Sequence, residues 1–439
     1  MRKIVFLSMA LVWLAALGGC GKEPSGPVVA EQPVAVDGGV SSERPHEVAV
    51  RPEVLPGVEV LARDHAAGLE GKSVGILTNP TGVTLLLEST IDVVRALPGV
   101  DVVRLFSPEH GLRGQFFAGD KVSDARDPVS GLPVVSLYGA TRKPTAAMLE
   151  GLDVVLYDIQ DVGHRTYTYV STLTYLMEAC EAAGVAVWVL DRPDPMGGEK
   201  VGGPVVEPDL LSFIGIHEVP QVYGMTPGEW ARMIKAERTL DVELNVIPMD
   251  GWRRGMNYGD LGWIWIPPSQ HIPHWESSYF YAMTGTIGEL RRVSEGVGTP
   301  TPFQLIGAPW LDGPSFAQRL NSMGLPGVMF RPTSFKPRYG TGNGVLLQGV
   351  QIHISDYLAV EPSAVGLALM SALVQEAPEQ EIFATFLAEN GSATGYLKAL
   401  GSLELAQRLA RNEEPHLNAE QQEKLDAYLQ RRQAYLLYD

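Results

Sequence analysis

Residues 106–122 read FSPEHGLRGQFFAGDKV and bring a carboxylate, an imidazole and a guanidinium close together, as Glu109, His110 and Arg113, with glycines at 111 and 114. Two more stretches have the same mixed character. YDIQDVGHRTYTY supplies Asp158, Asp161, His164, Arg165 and Tyr167, and LDRPDPMGG supplies Asp191 and Arg192. Acidic groups that converge in a partly desolvated cleft have their pKa values pushed apart. Glycoside hydrolysis uses that difference, with one protonated carboxyl as general acid and a second group as base or nucleophile. An arginine beside them can hold an anionic substrate through two parallel hydrogen bonds.

Each residue also has a plainer reading. Asp158 can cap a strand or loop, Arg192 can pair with Asp158 or Asp191, and His164 can serve only a backbone turn. Glu109 in Pro-Glu-His-Gly is the hardest to explain by structure alone. Other chemistries leave little trace. No G-x-S-x-G elbow, H-E-x-x-H pair or phosphate-binding P-loop is present. His271 and His274 are separated by Pro273, which prevents the regular helix that a two-histidine metal face needs. A metal site built from Asp158, Asp161 and His110 is conceivable on composition alone.

The elements that must position these groups alternate regularly from about residue 54. Apolar strands are predicted over 72–77, 101–106, 133–137, 153–158 and 185–190. Helical patterns lie over 84–97, 145–152 and about 169–183. Near-continuous apolar strands separated by helices predict an α/β domain whose parallel sheet is covered on both faces. Ligands bind such sheets outside the carboxyl ends of the strands. Every polar stretch quoted above begins where a predicted strand ends, so SPEHGLRG is expected to form one wall of a shared crevice. After residue 250 the character changes. Residues 251–285 are dense in Trp, Tyr, Pro and Gly, which suits either a cover that stacks on a sugar or packing between domains. Short strands and helices beyond 300 predict a smaller α+β C-terminal domain.

With 34 basic against 51 acidic residues the net charge is −17, which disfavours a nucleic-acid partner because phosphate binding needs a basic field. Arg2 and Lys3 precede an apolar run that ends in Leu17-Gly18-Gly19-Cys20. A positive start, a short apolar core and small residues at the cut describe a secretory signal. The run is shorter than the roughly 20 residues of a spanning helix. A cysteine directly after the small pair is similar to a bacterial lipoprotein signal, with Cys20 lipidated as the new N-terminus. Gly21 after it favours retention at the outer membrane, facing the periplasm. Residues 21–50 are rich in Pro, Gly, Val and Glu without periodicity, as in a disordered tether. Domain limits are accordingly 1–20 (signal), 21–50 (tether), 51–255 (catalytic domain) and 256–439 (C-terminal domain with the aromatic-rich cover). The one other cysteine, Cys180, falls in an apolar helical pattern and has no partner for a disulfide.

TNPTGV, SPEHGLRG, AGDKV, YDIQDVGHRTYTY, LDRPDPMGG, GGPVVE, YGMTPGEWA, SEGVGTPTPFQLIGAPW and GVQIHISD occur in this order. Together they resemble the exo-β-N-acetylmuramidase family of the NamZ/YbbC type, over about residues 55–435. The resemblance implies a Rossmann-like N-terminal domain, a smaller C-terminal domain and an active site between them. It implies release of terminal β-1,4-linked N-acetylmuramic acid from the non-reducing ends of peptidoglycan fragments, without NAD or metal. Carried over onto this chain, the matching motifs make Glu109 the expected catalytic acid, with Asp161 or Tyr167 as the second catalytic group. Asn79, His110, Arg113, Asp158, His164, Arg165, Asp191, Arg192 and Glu295 become candidate substrate-binding residues, and the lactyl carboxylate of muramic acid gives the arginines a purpose. The chain departs from the family at Gln270-His271 (commonly Pro-Asn), at Val297 (commonly Arg) and at Leu347 (commonly Cys). All three positions lie in the half expected to shape the substrate. A non-catalytic muropeptide-binding protein on the same frame and a metal-dependent hydrolase are the competing readings.

Overall fold

The computed structural model describes residues 54–116, 125–139, 141–390 and 395–439. The leader, Cys20 and the tether expected over residues 1–50 lie outside the described residues. Seven strands form the first sheet: β1 (Ser73–Thr78), β2 (Asp101–Ser107), β3 (Ala125–Arg126), β4 (Pro133–Ser136), β5 (Val154–Asp158), β6 (Ala186–Leu190) and β7 (Leu244–Ile247). Their order is β3-β4-β2-β1-β5-β6-β7, and every pairing is parallel except β3 with β4. From β1 the chain steps outward through β2 to β4, then returns to the other side of β1 for β5. The connections therefore diverge between β1 and β5, which is where an open α/β sheet leaves a crevice.

Both faces of this sheet are covered, and the strands show why. Val74, Ile76, Val154, Leu156, Ala186 and Trp188 join one buried cluster, whereas Leu77, Val155, Tyr157, Val187 and Val189 join another. Alternate residues thus serve opposite faces, as a pleated strand requires. Helix α1 (Thr90–Arg95) covers the first face through Ile91 and Val94. The second face is covered by α3 (Tyr169–Ala183) and α4 (Pro227–Glu237), while the short α2 (Ala146–Leu149) precedes β5. Burying a side chain of this size contributes about 1.5–3 kcal/mol. Helix α3 stops at Gly184, whose φ of 67° is the left-handed conformation that a C-terminal cap needs. Helix α4 opens with Thr226 and Glu229 in a reciprocal capping box. Cys180 is fully buried in α3, and burial pushes its thiol up to about 12, so it is an inert core residue.

The predicted helix over 84–97 is only half realised. Ser89 caps α1 by accepting from the Ile91 amide, so the helix starts there. Residues 84–88 form a turn instead. The Leu85 amide donates to Glu59, Leu87 has a φ of 66°, and Leu86 is 85% exposed. Side-chain acceptors that compete for these amides outweigh the helical pattern of the leucines.

A second sheet of three antiparallel strands follows, β8 (Leu305–Ala308), β9 (Val328–Phe335) and β10 (Leu347–Ile354), in the order β8-β10-β9. Helices α5 (Ser277–Gly288) and α7 (Pro362–Glu376) pack on each other, and α6 (Gly313–Ser322) lies on β9 and β10. The C-terminal residues return to the first sheet. Tyr428 donates to the Tyr223 carbonyl (2.7 Å), Tyr438 donates to Asp191 (2.6 Å), and the Asp439 carbonyl accepts from the Arg254 amide (2.9 Å).

Candidate active site

A cavity of about 940 Å³ opens outside the carboxyl ends of the first sheet, with its far wall built from the second half of the chain. Glu109 enters it directly after β2. The turn that carries it needs left-handed backbone at His110 (φ 71°) and Gly111 (φ 81°). A Cβ on Gly111 would meet the Phe116 ring at 2.7 Å, so this position tolerates only glycine. Thr168, just before α3, donates to the Glu109 carboxylate at 2.8 Å. Tyr138, just after β4, also hydrogen-bonds Glu109; burial and the nearby Glu109 charge push its hydroxyl up to about 12.

Four of the expected site residues line this cavity: Glu109, His110, Tyr167 and Glu295. The His110 ring nitrogen Nδ1 lies 3.1 Å from the Phe116 carbonyl. His271 faces the same space, and burial together with the His110 charge pushes its pKa down. Tyr167 packs edge-on against Tyr169 and Tyr281, with centroids 4.9 and 5.8 Å away. Burial holds its hydroxyl well above the usual range, so at neutral pH it is a neutral donor. Glu295 is 9% exposed and its Oε2 has no hydrogen-bond partner. Burial pushes its carboxyl up to about 7. The carboxyl rests against Gly288 of α5, where a Cβ would approach it to 2.8 Å.

The other expected residues do not reach the cavity wall. Asn79 holds its own turn by accepting from the Thr81 amide (2.9 Å) and hydroxyl (2.6 Å). Arg113 forms a two-pronged pair with Asp127 at 3.0 and 2.9 Å. Burial pushes Asp127 up, but the bonds from Arg113 and Ser130 outweigh it and leave a pKa of about 2. Asp158 and Arg192 form a buried ion pair beneath the crevice, to which Thr90 adds a hydrogen bond. Asp161 accepts from the Gly163 amide (3.0 Å) and the Tyr223 hydroxyl, behind the cavity; burial still pushes it up to about 6. His164 is buried and pushed down to about 3, so it is neutral. It meets Thr166 Oγ1 (2.9 Å), which meets the Tyr281 hydroxyl (2.8 Å), so His164 supports a cavity residue from behind. Arg165 spends its guanidinium on the carbonyls of Pro204, Val219 and Ala399, and burial pushes it down to about 9. Asp191 takes bonds from Thr226 (2.7 Å), the Gly228 amide (2.8 Å) and Tyr438, while burial pushes it up to about 7. These residues stiffen the loops at the strand ends, and most of their buried oxygens and nitrogens are hydrogen-bonded there, with Asp161 Oδ1, His164 Nε2 and Arg165 Nε left unpartnered behind the cavity wall.

Residues absent from the sequence-based set complete the wall. Tyr138, Arg142, Thr168, Tyr169, Phe213 and Tyr281 all face the cavity. Tyr138 and Thr168 had a signal, since both follow predicted polar strand ends. Tyr281 belongs to the aromatic-rich stretch expected as a cover, whereas Phe213 had no signal, because it arrives from a distant loop. In the aromatic stretch, Ser269, His271, Ile272 and Tyr281 reach the cavity. Trp263 and Trp265 instead pack around Tyr258 and donate to the carbonyls of Val54 and Ile272. Two of the departures noted in the sequence, His271 and Val297, face the cavity, whereas Leu347 is buried in β10. Among the described residues no group of three or more His, Cys, Asp or Glu side chains is placed to hold a metal ion.

Comparisons with known proteins bear on the family of the whole chain. Residues 74–276 match the family described as exo-beta-N-acetylmuramidase NamZ, N-terminal, and residues 279–438 match its C-terminal counterpart. The chain is 40% identical to the peptidoglycan beta-N-acetylmuramidase NamZ of Bacillus subtilis, over 82% of this chain and 86% of that protein. Two crystal structures of DUF1343 family proteins from Bacteroides fragilis are similar to it. One has a TM-score of 0.80 at 40% identity, covering 89% of this chain and 100% of that one. The other has a TM-score of 0.69 at 27% identity, covering 88% and 99%. With both halves matched in order and the cavity between them, the chain belongs to the NamZ family of exo-β-N-acetylmuramidases.

Proposed function

We propose that this protein is an exo-β-N-acetylmuramidase that releases terminal N-acetylmuramic acid from the non-reducing ends of peptidoglycan fragments. The observation that carries the reading is Glu109, held by Thr168 and Tyr138 on the wall of a sugar-sized cavity at the point where the sheet's connections diverge. The enzymatic activity named for the Bacillus relative supports it. The alternative of a non-catalytic muropeptide-binding protein has no comparable support.

Three carboxyls line the cavity, and on this reading Glu109 and Glu295, in different surroundings, share the chemistry, while Glu289 lies in the field of Arg291. Glu109 accepts hydrogen bonds from two hydroxyls, an arrangement suited to a carboxylate that activates water or attacks the anomeric carbon. Glu295, buried with one oxygen unpartnered, keeps its proton to about pH 7 and can deliver it to the leaving oxygen. This exchanges the role expected for Glu109 from the family motif and makes Glu295, rather than Asp161 or Tyr167, the second catalytic group. Tyr167 and Tyr281 then contribute aromatic ring surface to the cavity that holds the sugar.

The lipoprotein-type leader ending at Cys20 supports a place in the cell envelope, lipid-anchored and facing the periplasm, where peptidoglycan fragments are found. The test uses residues 51–439 with the 4-nitrophenyl β-glycosides of N-acetylmuramic acid and N-acetylglucosamine. Release from the muramic compound, abolished in Glu109→Gln, is the expected result. A folded protein that releases nitrophenol from neither compound refutes the proposal.

A further inference from the structure

The carboxylate that distinguishes muramic acid from glucosamine needs a cation in the cavity, and the arginines that the motifs suggested are committed elsewhere. Arg113 is paired with Asp127, Arg192 with Asp158, and Arg165 is bonded to three carbonyls. The turn between Gly296 and Gly298 carries Val297, which adds no charge. Two guanidiniums line the cavity, Arg142 and Arg291, and among the described residues neither has a carboxylate within ion-pair distance. The charge of Arg291 is felt by neighbouring Glu289, which it draws downward against the effect of burial. Arg142 stands against aromatic rings instead.

We infer that Arg142 recognises the lactyl carboxylate of the terminal muramic acid and so sets the preference for muramic over glucosamine units, an inference that rests on the muramidase reading above. Its guanidinium carbon lies 4.4 Å from the centroid of Phe213 and 5.4 Å from that of Tyr138. Phe213 is itself stacked on Tyr175, with centroids 5.7 Å apart and planes 24° apart. Stacking occupies the face of the guanidinium and one N–H is shared with the Tyr138 hydroxyl, while its remaining in-plane N–H groups can donate to a carboxylate. Tyr138 also fixes where that carboxylate would sit. Its hydroxyl bonds Glu109 and its ring carries Arg142, so the cation and the catalytic carboxylate are one phenol apart. In muramic acid the lactyl group at C3 and the reacting carbon C1 belong to one ring, so a single sugar presents both the carboxylate and the scissile bond to this wall.

The experiment compares wild type, Arg142→Gln and Arg142→Lys on three 4-nitrophenyl β-glycosides. These are those of N-acetylmuramic acid, its lactyl methyl ester and N-acetylglucosamine. Wild type should prefer the free acid to the ester. Arg142→Gln should lose that preference by about ten- to a hundredfold in kcat/KM, the range for losing a charged hydrogen-bonding partner. Arg142→Lys should restore part of it. Because Arg142 is exposed at the cavity rim, its thermal midpoint should match wild type. An acid-to-ester ratio unchanged in Arg142→Gln overturns the inference, even if all three rates fall together, because that pattern means Arg142 acts only through Tyr138 and Glu109. A wild-type enzyme that cleaves neither muramic compound overturns the muramidase reading itself, and this inference falls with it.

Discussion

Replacing Glu295 with glutamine tests the proposed division of labour between Glu295 and Glu109. Glu295 is 9% exposed, packed against the bare backbone of Gly288, and one of its oxygens has no partner. Burial moves it from 4.5 to about 7. That displacement amounts to roughly 3 kcal/mol against the ionised form, at about 1.4 kcal/mol per pH unit. A general acid must hold its proton, so kcat should be flat below about pH 7 and fall about tenfold for each unit above it. Glu295→Gln keeps the shape and neutrality of the protonated acid but cannot donate a proton to the leaving oxygen. Its kcat on a natural muramic-acid-terminated disaccharide should drop about 10²- to 10⁴-fold. The drop should be smaller with 4-nitrophenolate, a leaving group that needs less protonation, and the alkaline fall in activity should vanish. The assay is a pH–rate profile from pH 5 to 9 on both substrates. A Glu295→Gln enzyme that retains full kcat on the disaccharide, or keeps the alkaline limb, refutes the assignment.

Further outcomes follow from the buried groups around the site. Asp158→Asn leaves the Arg192 guanidinium buried without its counter-charge, and should cost about 3–5 kcal/mol of stability, seen as a lower unfolding midpoint in denaturant. Gly298 has a φ of 89°, and a Cβ there would lie 2.3 Å from the Tyr339 carbonyl oxygen. Gly298→Ala should therefore displace the 340–342 segment of the cavity wall and lower kcat/KM, and an unaltered rate would contradict this reading. Asp161, Asp191 and Asp194 are raised from 3.8 to about 6, 7 and 8 by burial. The folded state thus holds more protons than the unfolded one from about pH 4 to pH 8, so stability should fall as pH rises through that window and level off above it. A midpoint that climbs between pH 5 and 8 would count against it.

Much of the first half was legible because its signals are local. Near-continuous apolar runs of five or six residues can only be strands buried on both sides, and β1, β2, β4, β5 and β6 appear within about a residue of their predicted limits. The reach of the prediction ended where distant groups compete for the same backbone. Glu59 takes the Leu85 amide and Ser89 takes that of Ile91, which shortens the helix expected over 84–97. The roles of polar residues were less legible still. Arg165 and Asp191 look like site residues because they follow strands, yet their partners come from Ala399 and Tyr438, far along the chain.

By itself the sequence determined the fold class, the crevice at the strand ends and the presence of Glu109 in it. Hydrophobic period, glycine placement and strand-end polarity are properties of neighbouring residues. Only the tertiary structure decided which polar side chains remain available for chemistry. Burial and hydrogen-bond satisfaction depend on what the rest of the chain brings alongside, and they commit Arg113, Arg165 and Arg192 to structure while leaving Arg142 on its aromatic stack and Glu295 with an unpartnered oxygen at the cavity.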